Sequence, residues 1–236
     1  MYPITILTNV LIAPGTWEMT TTKPDGYDYI AGQYTVLTLP DQGLTDTRNF
    51  RRTLSFASAP HESILRFTVR DSDSGFKQVW KNLKPGDTAT VTRAVGRCTL
   101  PSDSSHIVFL AGGIGITPVY SMLLHMAHVS DTRSVTLIYT NRHRTEVAYL
   151  SEIQALATKL PNFRLACCLT QEQQLETGEH SGYVTRELLG SLGVDQNSDT
   201  WYYSIGAPRY LDGVNAVLDA MGIPKEKRKQ DPFTGM

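Results

Sequence analysis

Two rhythms of apolar and polar residues divide the chain. As far as about Pro101, short segments alternate with a period of two, among them QYTVLTL, RTLSFAS, ILRFTVR and TATVTRA, separated by clusters of Gly, Pro and Asp. Successive side chains of a strand point to opposite faces, so this alternation predicts antiparallel strands with one face buried. Short, evenly spaced strands of this kind predict a small barrel. One helical insertion is expected around Phe76 to Leu83, stopped by the turn signal Lys84-Pro85-Gly86-Asp87. From His106 onward the period changes. The apolar runs HIVFLAG, SVTLIYT, FRLACCLT and TWYYSIG take turns with the amphipathic stretches TPVYSMLLHMAHV, EVAYLSEIQALATKL, VTRELLGSL and YLDGVNAVLDAMG. Strands buried on both faces read as unbroken apolar runs, and alternating β and α segments predict a parallel sheet covered by helices on both sides. PSDSS, at Pro101 to Ser105, marks the change of grammar, so domains of residues 1–102 and 103–236 are expected. The late KEKRKQ run reads as a solvated loop ahead of the last strand-like residues.

Composition narrows the classes of function. A chain of 236 residues has room for two small domains, and 41% hydrophobic with 19% charged residues is the balance of an ordinary globular protein. With 22 basic and 23 acidic side chains the formal charge is -1. No global field draws such a protein onto nucleic acid or an anionic membrane, so any basic site is local. No stretch reaches the ~20 apolar residues needed to span a bilayer. The N-terminal MYPITILTNVLIAPGTWEMT lacks the basic region and apolar run of a secretory signal, so a cytoplasmic protein is expected. Cys98, Cys167 and Cys168 fall short of the four thiolates of a ferredoxin-type iron–sulfur cluster. The adjacent pair inside FRLACCLT reads as small buried hydrophobes of a strand. His125 and His128 lie three apart on an expected helix, but no third ligand stands near them in sequence; a solvated helix face is the reading, and no metal is expected.

The sharpest local feature is Leu110-Ala111-Gly112-Gly113-Ile114-Gly115-Ile116-Thr117-Pro118, directly after an apolar strand and directly before a helix. Glycines there let the backbone turn tightly and let a ligand approach main-chain N–H groups, while the following helix presents its positive end to an anion. Pro118 suits the first turn of that helix, where its missing donor costs nothing. A turn that merely packs strand against helix would look the same, and the third glycine of the dinucleotide fingerprint is replaced here by Thr117 or Pro118.

Four further segments stand in order around that turn: Gly32-Gln33-Tyr34 before a strand, Arg52-Thr53-Leu54-Ser55 within RRTLSFASAP, Ile205-Gly206-Ala207-Pro208, and Asp231-Pro232-Phe233. Together with GGIGITP they resemble the motifs of the ferredoxin–NADP reductase family over nearly the whole chain. The resemblance implies an N-terminal antiparallel Greek-key β-barrel that binds flavin and a C-terminal Rossmann-like α/β domain with a parallel sheet that binds a nicotinamide dinucleotide. It implies FAD, with FMN less favoured, NADH or NADPH as electron donor, and a separate acceptor such as a ferredoxin, a flavodoxin or an oxygenase component. By the same resemblance Arg52 grips the flavin pyrophosphate, Ser55 is the catalytic hydroxyl beside flavin N5, and Tyr34, Thr53 and Leu54 complete that contact. A second phosphate contact falls on Ser74, Gly75, Phe76 and Lys77, at the start of the helical insertion. Gly112, Gly113, Gly115, Ile116, Thr117, Arg142, Gly206, Ala207, Pro208 and Phe233 are expected around the two cofactors.

Departures from the family pattern carry information. Leu54 stands where a stacking aromatic is usual, leaving Tyr34 and Phe56 as candidates to replace it. Ile205 replaces a cysteine that borders the nicotinamide, so a hydrophobic wall is expected there. Met236 takes the place of the terminal aromatic lid. Arginines of Asn141-Arg142-His143-Arg144 could reach a cofactor phosphate, whereas Thr170-Gln171 replaces the Ser-Arg pair of NADPH-using relatives and tilts the expectation toward NADH. The departures also leave room for a non-catalytic nucleotide-binding or regulatory subunit of a larger redox assembly, or for a free-flavin reductase.

Overall fold

The computed structural model describes residues 1–194 and 199–233, so the lid expected at Met236 lies outside the described residues. The first half contains β1 (Tyr2–Ala13), β2 (Thr16–Thr22), β3 (Tyr34–Thr38), β4 (Arg51–Ser55), β5 (Ile64–Arg70), α1 (Gly75–Asn82) and β6 (Thr88–Val91). Its strands pair antiparallel in the order β4-β3-β6-β1-β2-β5. Where the chain leaves β4, the Ala57 N–H donates to the Arg66 carbonyl at 2.8 Å and draws the two outer strands together. The curled sheet encloses Ile4, Ile6, Met19, Leu37, Phe56, Phe67 and Val91. Helix α1 plugs one opening with the fully buried Phe76, Val79 and Trp80. Bulges between Ile6 and Thr8 and between Leu11 and Ala13 put β1 out of strict alternation, which hides this strand from a period-two reading.

In the second half, β7 (His106–Gly112), α2 (Ile116–His128), β8 (Ser134–Asn141), α3 (Leu150–Leu156), β9 (Phe163–Leu169) and β10 (Glu179–Ser181) are followed by α4 (Arg186–Ser191), β11 (Thr200–Gly206), α5 (Pro208–Ala220) and β12 (Arg228–Pro232). All its strand pairs are parallel, in the order β10-β9-β8-β7-β11-β12. Ile107, Phe109, Leu137 and Ile205 pack under α2 and α3 on one face; Val108, Leu110, Ile138 and Tyr202 pack under α4 and α5 on the other. Cys167 and Cys168 are buried in β9 as small hydrophobes.

Three sequence expectations change here. The KEKRKQ run is not simply a loop, because its last three residues open β12 beside β11. An outermost strand tolerates charge, and these charges are engaged: Arg228 donates to Asp219 at 2.6 Å, and Lys229 reaches the Thr99 carbonyl at 2.7 Å while lying over Trp201 and Tyr203. The helix expected from Glu146 to Leu160 shortens to α3, because Tyr149 adopts φ 61°. That conformation, uncommon for a bulky residue, is held by the other half of the molecule. The Tyr149 hydroxyl donates to Glu18 Oε2 at 2.7 Å and meets Thr68 Oγ1, and its ring stacks on Tyr120 at 4.3 Å. Ser121 Oγ donates to the Ser58 carbonyl at 2.6 Å across the same seam. His128 is not purely a solvated helix residue, since its ring stacks on His61 at 3.7 Å. Among the described residues no cluster of His, Cys, Asp or Glu could hold a metal, and no helix is long and apolar enough to cross a membrane.

Candidate functional site

Between the halves runs a cleft of about 960 Å³. The barrel side is built from β4, where Arg52, Thr53, Leu54 and Ser55 face it, with Tyr34 on the neighbouring β3 and Lys77 on α1. The opposite side is the carboxyl edge of the parallel sheet, with Gly112 to Ile114 at the end of β7 and Thr117 in the first turn of α2, Thr140 to Arg142 at the end of β8, Thr170 after β9, and Ala207 after β11 with Tyr210 in the first turn of α5. Chain connections run one way from β7 to β8 and the other way to β11, so the cleft lies at the point where the strand order reverses. Open α/β sheets take ligands there because the loops diverge.

The glycine turn divides its labour. Gly113 has φ +53°, and an added Cβ would have no atom within 4 Å, so its backbone is open to an approaching ligand. Gly115 serves packing, because a Cβ would stand 2.5 Å from the Ile205 carbonyl oxygen. The first turn of α2 has no side-chain cap, nor does that of α5, which begins with Pro208 after Ala207. Two helix N-termini without side-chain caps therefore reach the same cleft, through Thr117 and through Ala207 with Tyr210, and their partial positive charge suits phosphate.

On the barrel side the chain supplies an anion of its own. The Asp46 carboxylate accepts both arms of the Arg52 guanidinium, at 3.0 and 2.7 Å, and the backbone N–H groups of Arg48, Phe50 and Phe76, each at 3.0 Å. The Arg52 guanidinium foremost, with these backbone donors, holds the carboxyl far below the ordinary aspartate range against the effect of its burial. Lys77 N–H is taken by the Ser74 hydroxyl, and Lys77 Nζ donates to the Arg70 carbonyl. Burial, with the neighbouring Arg52 charge, pushes the Lys77 ammonium down to about 8.

The cleft thus collects Tyr34, Arg52, Thr53, Leu54, Ser55, Lys77, Gly112, Gly113, Thr117, Arg142, Ala207 and Phe233 from the expected residues. Ser74, Gly75, Phe76, Gly115, Ile116, Gly206 and Pro208 are not on its surface. Phe76 is fully buried, and Gly75 lies beneath the Thr45 carbonyl. Phe56 cannot replace the missing aromatic, because it is buried in the barrel core and stacked on Tyr29 at 4.1 Å. Ile205 forms no wall either; it is fully buried and packs under α2.

Several lining residues escaped the sequence reading. Among the described residues, Asn141 is 5% exposed with neither polar atom of its amide in a well-formed hydrogen bond, and Arg52 Nε is likewise buried without a partner. Unpaired buried groups of this kind are costly unless a ligand completes them. Tyr183 is 68% exposed on the cleft, a ring available for stacking. Asp231 also lines it, with burial raising its carboxyl above the usual range. Asp46, which stands behind Arg52 and not on the cleft surface, had a local signal that could have been read, the turn-forming Asp-Thr-Arg-Asn just before two arginines.

Comparison with known proteins agrees with this geometry. The family model described as an oxidoreductase NAD-binding domain matches residues 109–215. The reductase component of propane 2-monooxygenase from Rhodococcus jostii (strain RHA1) is 27% identical over 227 residues, covering 90% of this chain and 57% of that protein. Reductase component 1 of terephthalate 1,2-dioxygenase from a Comamonas species is 28% identical over 233 residues, covering 97% and 67%. The chain therefore spans between about half and two thirds of the length of these curated relatives. Among solved structures, a ferredoxin NADP+ reductase from Neisseria gonorrhoeae with bound FAD and NADP superposes with a TM-score of 0.80 at 22% identity, covering 98% of this chain and 97% of that one.

Proposed function

The chain belongs to the ferredoxin–NADP reductase-like family of flavin oxidoreductases, and from that premise we propose that it is a reductase that takes a hydride from NAD(P)H through FAD and delivers electrons to a separate acceptor. The observation that carries this reading is one cleft lined by Ser55 of the barrel on one side and by Gly113 and Ala207 of the parallel sheet on the other. Residues 1–102 would hold the flavin and residues 103–236 the nicotinamide dinucleotide. The residues present fit FAD: an apolar Leu54 and the Tyr34 ring for the flavin, the Ser55 hydroxyl at its edge, and the unpaired Arg52 Nε with the exposed Arg48 and Arg51 for its phosphates. When bound, the flavin accepts two electrons from nicotinamide and releases them to one-electron carriers.

The chain's own task is positioning. Ser55 orients the ring, and the turn at Gly113 with the positive N-terminal ends of α2 and α5 holds the dinucleotide phosphates. The buried Asn141 amide offers a donor and an acceptor to the dinucleotide. The acceptor is proposed to be a ferredoxin, a flavodoxin or an oxygenase component; similarity to two oxygenase reductase components supports the last. Three free cysteines support a reducing, cytoplasmic setting. The test is the colour of the purified protein and its anaerobic bleaching by NADH or NADPH. Colourless protein that takes up no added FAD would overturn the proposal.

A second reading, in which flavin is an exchangeable substrate, draws support from Leu54 and from Asp46 filling the Arg52 fork. Loss of flavin on gel filtration, with turnover restored by free flavin, selects it.

A further inference from the structure

The sheet side of the cleft extends beyond Asn141 to Arg142, Glu146, Thr170 and Tyr183. If the turn at Gly113 holds a dinucleotide's phosphates and its nicotinamide faces Ser55, the adenosine half runs toward this end. The carboxyl end of the second strand is where such sheets meet the adenosine ribose, with a carboxylate for a 2′-hydroxyl or an arginine for a 2′-phosphate.

The cations lining that end are Arg70 and Arg142. Glu146 engages both. Arg142 Nε and Nη2 donate to its two oxygens at 3.1 and 2.7 Å, and Arg70 Nη2 lies 3.4 Å away. Arg70 is further committed to the Pro14 carbonyl at 3.2 Å and Thr16 Oγ1 at 3.1 Å. Arg144, just behind, is clasped by both oxygens of Glu179 at 2.7 and 2.6 Å and lies 3.4 Å from Glu176, while its N–H goes to Glu172 at 3.0 Å. Glu146 is only 11% exposed while the Arg142 guanidinium that it holds is 61% exposed, so the carboxylate is fixed in place and the cation reaches out to solvent and ligand. Burial works to raise its carboxyl, but the Arg142 hydrogen bonds and the Arg70 charge prevail and keep it ionised. A ribose 2′-phosphate would thus meet a carboxylate already holding the guanidinium it needs.

We infer that the protein selects NADH over NADPH and that Glu146 sets the choice by neutralising Arg142. The inference rests on the proposed reading of the cleft. It is tested by titrating AMP and 2′-phospho-AMP, by calorimetry, into the purified protein, Glu146→Gln and the double variant Glu146→Gln with Arg142→Ala, and by comparing kcat/KM for NADH and NADPH with ferricyanide as acceptor. The wild type is expected to favour AMP over 2′-phospho-AMP, and NADH over NADPH, by about three-fold or more, and Glu146→Gln to shrink both ratios by about three-fold. Removing Arg142 as well should cancel that gain. Equal or tighter binding of 2′-phospho-AMP by the wild type overturns the inference without any variant. Unchanged ratios in Glu146→Gln overturn it too, as does a gain that survives in the double variant. Binding of neither nucleotide would overturn the nucleotide reading of the cleft itself, and the selectivity with it.

Discussion

Asp46 and Asp231 place one residue type in two environments, and their effects on stability run in opposite directions with pH. Asp46 is held ionised by Arg52 and three backbone donors, so its folded value lies below its unfolded one. Its contribution is complete above about pH 4, the ordinary aspartate value, and is lost as pH falls toward the depressed folded value. Asp46→Asn is expected to destabilise the protein by about 3 kcal/mol at neutral pH, because Arg52 is left buried without its counter-charge. The difference should be steady above about pH 4 and narrow progressively as the pH falls below it, in urea midpoints measured across the range. Burial of Asp231 raises its folded value, so the stability it contributes is present below the ordinary aspartate range and is lost as pH rises through the raised value. Asp231→Asn should therefore raise the thermal midpoint at pH 8 and change it little at pH 4. Neither behaviour was legible in the sequence, where both residues are aspartates beside loops; the difference lies in which donors the fold brings to each.

Among the elements, the glycine turn was visible as a motif, but its division of labour was not. Gly115 touches the backbone of β11, roughly ninety positions further along the chain, and only the folded sheet creates that contact. Gly115→Ala is expected to cost about 1–3 kcal/mol in chemical denaturation, since a carbonyl cannot yield as a flexible side chain can. Gly113→Ala should cost about 1 kcal/mol from its left-handed backbone, yet weaken AMP binding, because its new methyl group would project into open space beside the cleft. Strands β3 to β9 and β11 were readable because their alternation or apolar runs follow from burial. Strand β1 was obscured by its bulges, β12 by its charges, and the short α3 by a tyrosine whose conformation is imposed from the barrel.

At the scale of the whole molecule, the seam around Tyr149 joins the two halves. Its hydroxyl binds Glu18 and Thr68 of the barrel while its ring packs on Tyr120 of α2. Tyr149→Phe removes the donor to a carboxylate and should cost about 1–3 kcal/mol. Calorimetry is expected to show the single unfolding transition of the wild type broaden or divide in the variant, as the halves lose their coupling. The two-part architecture could be read from the chain because each half keeps its own periodicity. The seam could not, since it depends on single polar side chains far apart in sequence.

The last strand of the parallel sheet also bears on how molecules meet one another. An outermost strand presents main-chain groups that another chain could extend. In β12 that rim ends at Pro232, which has no N–H to offer. Copies of this protein crowded together are thereby discouraged from zipping sheet to sheet, and their encounters are left to side-chain chemistry.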